Sequence, residues 1–220
     1  MTHSEENYLK VIYHLSLISP KGITTNAIAE MIDSKASSVT DMIKKLAEKE
    51  MVFYKKYQGV TLTSKGLHQA KMIVRKHRLW EVFLVDKLDF PWDEVHEIAE
   101  ELEHIQSEKL INRLDAFLGF PKEDPHGDPI PNRDGHVEVL TRKLLSESAL
   151  HKKLVCMGVK DNSASFLQFL DKNAISIGTE IEILEKVDFD SSFIVLINQQ
   201  EKSISHKIAQ NLYVKELYHV

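Results

Sequence analysis

The chain has 220 residues, 43% of them hydrophobic, a formal net charge of −5 and one cysteine. That length fits one or two domains with a real core, and a lone Cys156 excludes an internal disulfide framework and any multi-cysteine zinc site. There is no apolar run of roughly 18 residues, and the acidic start MTHSEENYLK does not read as a signal peptide, so no membrane partner and a cytoplasmic location are expected.

Residues 4–18 are predicted as a helix, with Ser4 as cap and Tyr8, Leu9, Ile12 and Tyr13 as its apolar side; Pro20 and Gly22 end it. A short helix is predicted over 25–32. A third carries Val39, Met42, Ile43, Leu46 and Ala47 at i, i+3, i+4, i+7 and i+8. MVFYKKYQGVTLTSKG then reads as two strands around a turn at Tyr57-Gln58-Gly59. Three helices and a hairpin, the third helix polar and basic on its outer face, make a winged helix-turn-helix order. In that reading the third helix enters the major groove. Lys35, Ser37, Ser38, Thr40, Asp41 and Lys44 are the candidates for base and phosphate contacts, and Lys55, Lys56 and Tyr57 on the wing for contacts to the DNA backbone.

Charge supports separate partners for separate regions. Residues 35–65 hold seven lysines against three acids, and residues 88–128 hold twelve acids against three basic residues. Long helices are predicted over about 65–87 and, beyond Pro91 with Asp93 as cap, over 94–118. Paired helices of this kind suit a dimer interface. PKEDPHGDPIPNRDG, with four prolines and two glycines, has linker composition. SFLQFL is predicted as a short helix, and TEIEILEKV, SSFIVLI and NLYVKEL as strands of a small β domain. The domain boundaries expected are 1–64, 65–120, a linker over 121–149, and 150–220.

The stretch HEIAEELEH, residues 96–104, holds two histidines and four glutamates. On one continuous helix His96, Glu100, Glu103 and His104 share a face opposite Ile98 and Leu102. The preceding helix carries His77 and Glu81 at i, i+4. Carboxylates this close repel unless a cation joins them. The pattern alone fits a divalent-cation site and a solvated acidic face about equally. It does not fit a zinc-hydrolase helix, because His96-Glu97 is followed at position 100 by Glu, and no nucleophile elbow, phosphate loop or dinucleotide fingerprint occurs.

SEENYLKVIY, SSVTDMIKKL, LTSKG, RKHRLWE, VHEIAEELEH and PHGDPIP, in this order, resemble the diphtheria-toxin-repressor family of metal-dependent transcriptional regulators across nearly the whole chain. The resemblance implies a mainly α protein with a small β domain: a winged helix, a helical dimerisation domain and a C-terminal SH3-like barrel. It implies two neighbouring metal sites with ligands at Asn7, His77, Glu81, His96, Glu100, Glu103 and His104. Glu100, Glu103 and His104 are expected to share one ion, and His77, Glu81 and His96 to serve mainly the other. A carboxylate at 100, where iron-type members tend to carry cysteine, points to Mn2+, with Fe2+ as the alternative. Asn7 stands where manganese-type members often have Asp, and Lys10 where some have Glu. Asp124 and Asp128 replace residues that hold an anion in iron-type members, so that anion site is not carried over.

The resulting expectation is a homodimeric, manganese-activated repressor of metal-uptake genes on a palindromic double-stranded DNA operator. It is not expected to be an enzyme. The alternatives are an iron-responsive repressor and, further off, a metallohydrolase with an accessory winged helix. Glu103→Gln is expected to weaken metal binding while leaving the metal-free fold intact or slightly more stable.

Overall fold

The computed structural model describes residues 1–20, 22–55 and 58–217. Helix α1, His3–Ile18, is capped by Thr2 rather than Ser4. Thr2 accepts from the Glu5 N–H at 3.3 Å and Glu5 accepts from the Thr2 N–H at 3.0 Å, a reciprocal capping box that satisfies two orphan donors. Helix α2, Thr25–Ile32, is capped by Thr24 and stops where Asp33 turns left-handed. Helix α3 is Ala36–Glu48. Strands β1, Val52–Lys55, and β2, Gly59–Leu62, form the antiparallel hairpin, and Val60 also bridges to Ile23. At Gly59, φ is +87° and a Cβ would lie 2.9 Å from the Ile23 carbonyl, so the wing closes only with glycine there. Lys56 and Tyr57 lie outside the described residues.

Helix α4 spans Ser64–Leu88, its start held by Thr63 Oγ1 accepting from the Gly66 N–H at 3.0 Å. The single helix expected over 94–118 is two: α5, Val95–Leu102, and α6, Glu108–Phe117. Ser107 accounts for the break. Its hydroxyl accepts from the Leu110 N–H and its carbonyl from the Ile111 N–H, so it starts a new helix with Glu108 in the first turn. His104 therefore stands on a connecting segment, and the i, i+4, i+8 ladder ends at Leu102.

The C-terminal domain has β3 (Lys143–Leu144), β4 (Lys153–Val159), α7 (Ala164–Lys172), β5 (Glu180–Lys186), β6 (Phe193–Ile197), β7 (Gln200–Ile204), α8 (His206–Ala209) and β8 (Leu212–Glu216). Its antiparallel sheet runs β3-β8-β4-β5-β6-β7. The expected helix and three strands are present. β4 and β7 were not read from the sequence: β7 is a polar strand at the sheet edge, paired with β6.

Contacts divide the chain into two compact units. The first comprises Met1–Trp80, Glu100–Leu114 and Pro131–Val137; its core includes the fully buried Leu9, Ile12, Ile28, Val39, Ile43 and Leu46. The second comprises Glu81–Ala99, Asp115–Ile130 and Glu138–Val220, built on Leu145, Leu170, Ile183, Val195 and Leu212. Within it, residues 121–130 form a tight loop. The Asp124 carboxylate accepts from the backbone N–H groups of His126 and Asp128, and Glu123 bridges to Pro129.

Candidate metal centre and nucleic-acid interface

In the first unit, α1 supplies one wall of a polar cluster. Asn7 and Lys10 stand one turn apart, and α4 brings His77. Glu103, just past the end of α5, is completely buried. His77 Nδ1 lies 2.7 Å from Glu103 Oε2. Lys10 Nζ donates to Glu100 Oε1 at 2.5 Å and to Glu103 Oε2 at 2.8 Å, and also lies 2.8 Å from Glu103 Oε1. Burial pushes the Glu103 pKa up, but the His77 hydrogen bond and the Lys10 charge outweigh it and hold the group below the ordinary carboxylate value. One ligand-type atom from each of His77, Glu100 and Glu103 lies within 4.8 Å of the others. Among the described residues the buried Oδ1 of Asn7 has no hydrogen-bond partner.

His104 is organised separately. Its Nδ1 lies 2.6 Å from Glu6 Oε2, and its ring stacks on His3 with centroids 4.3 Å apart. Glu6, 4% exposed, also accepts from Gln106 Nε2 at 2.8 Å. A carboxylate on Nδ1 fixes the ring and leaves Nε2 as the nitrogen able to coordinate. Glu6 was not singled out from the sequence; an acid in the first turn of α1 reads as a helix-dipole partner.

The second unit contains another group of three. Ligand-type atoms of Glu81, Asp124 and His126, all buried, lie within 4.8 Å of one another. His126 Nδ1 is 3.8 Å and His96 Nδ1 3.5 Å from Glu81 Oε1. His126 Nε2 donates to the Trp92 carbonyl at 2.8 Å, which leaves Nδ1 unprotonated in the neutral ring. Trp92 is held in turn: its indole N–H reaches the Asp171 carboxylate on α7 at 3.0 and 3.1 Å, and its ring stacks on His126. Sequence reading missed His126 and weighed Asp124 only as a group that repels anions. The signal was present in EDPHGD, where two carboxylates and an imidazole share a short Pro/Gly loop.

Both sets consist of carboxylate oxygens and imidazole nitrogens. That donor chemistry fits a hard or borderline divalent ion. No thiolate belongs to either set. Cys156 is buried in the β-domain core, and burial raises its pKa to about 11.

On α3, Lys35, Ser37, Ser38, Asp41 and Lys44 are exposed. Thr40 is half-buried, and its hydroxyl donates back to the Ala36 carbonyl at 2.9 Å. Asp41 and Lys44 pair at 3.4 Å. Lys55 is exposed on the hairpin beside Phe53, an aromatic 67% exposed that sequence reading passed over.

Three family models match in chain order: the iron dependent repressor N-terminal DNA binding domain over residues 1–60, the iron dependent repressor metal binding and dimerisation domain over 63–132, and the FeoA domain over 143–216. An HTH-type transcriptional regulator named MntR from Oceanobacillus iheyensis is 36% identical over 124 residues, 56% of this chain and 82% of that one. The iron-dependent repressor IdeR of Mycobacterium tuberculosis is 35% identical over 133 residues, 60% of this chain and 56% of its own. A solved manganese-dependent transcriptional repressor in complex with manganese superposes with a TM-score of 0.85 at 36% identity, covering 97% of this chain and 100% of the other.

Proposed function

Because the chain belongs to the diphtheria-toxin-repressor family of metal-dependent transcriptional regulators, we propose that it is a manganese-activated repressor of metal-uptake genes. It acts in the cytoplasm as a homodimer on a palindromic operator. The observation that carries this reading is the shared use of α1. The helix that packs behind the DNA-binding helices also delivers Lys10 to the cluster of His77, Glu100 and Glu103, and Glu6 to His104, with Asn7 one turn from Lys10.

A bound divalent ion would supply concentrated positive charge to the Glu100–Glu103 pair. The first ligand set comprises Asn7, His77, Glu100, Glu103 and His104, with Glu6 orienting His104. The second comprises Glu81, Asp124 and His126, with His96 beside them. Carboxylates in place of thiolate favour Mn2+ over softer ions. α1 fixes the pose of α3 through Leu9, Ile12, Val39 and Ile43, so rigidity gained at the cluster is passed to the recognition helices. Two such helices in a dimer must match half-sites about 34–36 Å apart, and an ion that favours the matching pose favours operator binding. Lys35, Ser37, Ser38, Lys44 and Lys55, with Lys56 and Tyr57, form the DNA-contacting set; Thr40 and Asp41 act from within α3.

The test selects bound duplexes from a random pool with the full chain, anaerobically, using Mn2+, Fe2+ or chelator. An interrupted palindrome enriched at lower Mn2+ than Fe2+ concentration is expected. Enrichment favouring Fe2+ would establish the iron-responsive reading, for which the similarity to IdeR speaks. Equal enrichment in chelator would end the metal-activation claim.

A further inference from the structure

Lys10 is the unusual member of the first cluster. An ammonium stands where carboxylate and imidazole groups converge, its side chain only 9% exposed. It bridges Glu100 and Glu103 from α1, at 2.5 and 2.8 Å. An ammonium has three donors and no lone pair, so in this position it neutralises the carboxylates without being a ligand. A divalent ion approaching the same oxygens meets a cation already in place. Both cannot hold the inner carboxylate oxygens at contact distance.

We propose that Lys10 is a tethered competitor of the activating metal. Its ammonium holds the Glu100–Glu103 pair in the metal-free protein, and its displacement sets the metal concentration at which the site loads. The inference rests on the metal-activated reading given above. Three features support it. The contact is long-range in sequence, joining α1 to the segment around the end of α5, so it is a tertiary device and not a local surface pair. The lysine stem is flexible and unbranched, so the head can withdraw while α1 stays in place. Finally, one ammonium gathers both carboxylates, so loading of the site exchanges one cation for another at groups already brought together.

The test compares wild type, Lys10→Met and Lys10→Arg as full chains, by calorimetric titration with Mn2+ and by thermal melting in chelator. Lys10→Met keeps the stem volume and removes the charge. It is expected to bind Mn2+ at least tenfold more tightly than wild type and to melt several degrees lower without metal. Lys10→Arg retains the charge and is expected to stay within threefold of wild-type affinity. Should Lys10→Met fail to fold, Lys10→Gln replaces it with the same expectation. Equal or weaker Mn2+ affinity in the neutral variant overturns the competitor role while leaving metal activation intact. Absence of Mn2+ binding in both wild type and the neutral variant defeats metal activation itself, and the competitor role with it.

Discussion

The two acid–histidine clusters are built from similar side chains and balanced in different ways. In the first unit the carboxylates of Glu100 and Glu103 meet a lysine ammonium and the His77 ring. In the second, Glu81 faces the Nδ1 atoms of His96 and His126, and the Asp124 carboxylate is held by backbone N–H groups. A lysine ammonium balances the carboxylates of the first cluster. Imidazole rings and peptide N–H groups are among the partners of the second.

The largest effect that would sharpen this contrast is expected at Glu103. Its removal leaves the buried Lys10 ammonium and His77 without their shared acid. Glu103→Ala should lower metal-free stability by about 3–5 kcal/mol, the range for breaking a buried charged pair, and abolish Mn2+ binding in the first unit. Glu103→Gln should destabilise less, yet still destabilise. This reverses the sign expected from sequence, where the glutamates repel one another; Lys10 already relieves that repulsion. A metal-free melt in which Glu103→Gln is as stable as wild type would break the comparison.

Next in size is His126→Ala. It should remove one Mn2+ equivalent in calorimetry while leaving the first unit's affinity within about threefold, because His126 touches Glu81 and Trp92 rather than Glu100, Glu103 or Lys10. Loss of both equivalents would show that they act as one. Trp92→Phe keeps the ring but loses the indole N–H contact with Asp171. About 1 kcal/mol of stability should be lost, as for a typical hydrogen bond, with weaker metal binding at His126 and unchanged binding at Glu103. The smallest effect concerns Glu5, which lies outside both clusters and accepts from Lys49 on the chain just after α3 at 2.6 Å. The Lys49 hydrogen bond and the Thr2 N–H hold its pKa below 4.5. Its contribution is thus fully present above that value and fades as pH falls through the lower folded-state pKa. Lys49 is half-exposed, so Glu5→Gln should cost only about 0.5 kcal/mol, detectable as a flatter acid limb in denaturant melts between neutral and acidic pH.

Periodicity made α1 to α4 legible, because each has an apolar stripe and a stop signal. It also made most of the His and Glu positions legible, since spacing along one helix is a local property. It failed where the chain leaves the helix. Ser107 looks like an ordinary polar residue until its capping bonds are seen, and without that break His104 was placed on the same helical face as His96. Lys10 could be noted as a departure from a family pattern, but its reach to residues some ninety positions away depends on tertiary packing. His126 and Asp124 lie in a segment whose proline and glycine content suggested a linker. The loop is in fact fixed by its own Asp124 carboxylate.

At Gly127 that loop lies so close to β4 that a Cβ would come within 2.1 Å of the Met157 carbonyl and 2.5 Å of the Gly158 Cα, with φ at +84°. The His126 carbonyl accepts from the Val159 N–H at 2.9 Å, and Arg142 hydrogen-bonds the Gly127 carbonyl. The loop's seat is thus part of the strand itself. In evolutionary terms, the C-terminal barrel cannot be lost or exchanged as a free cassette in a chain that relies on Asp124 and His126. A lineage that sheds the barrel must also rebuild or abandon that pair; Glu100, Glu103 and Lys10 belong to the other unit.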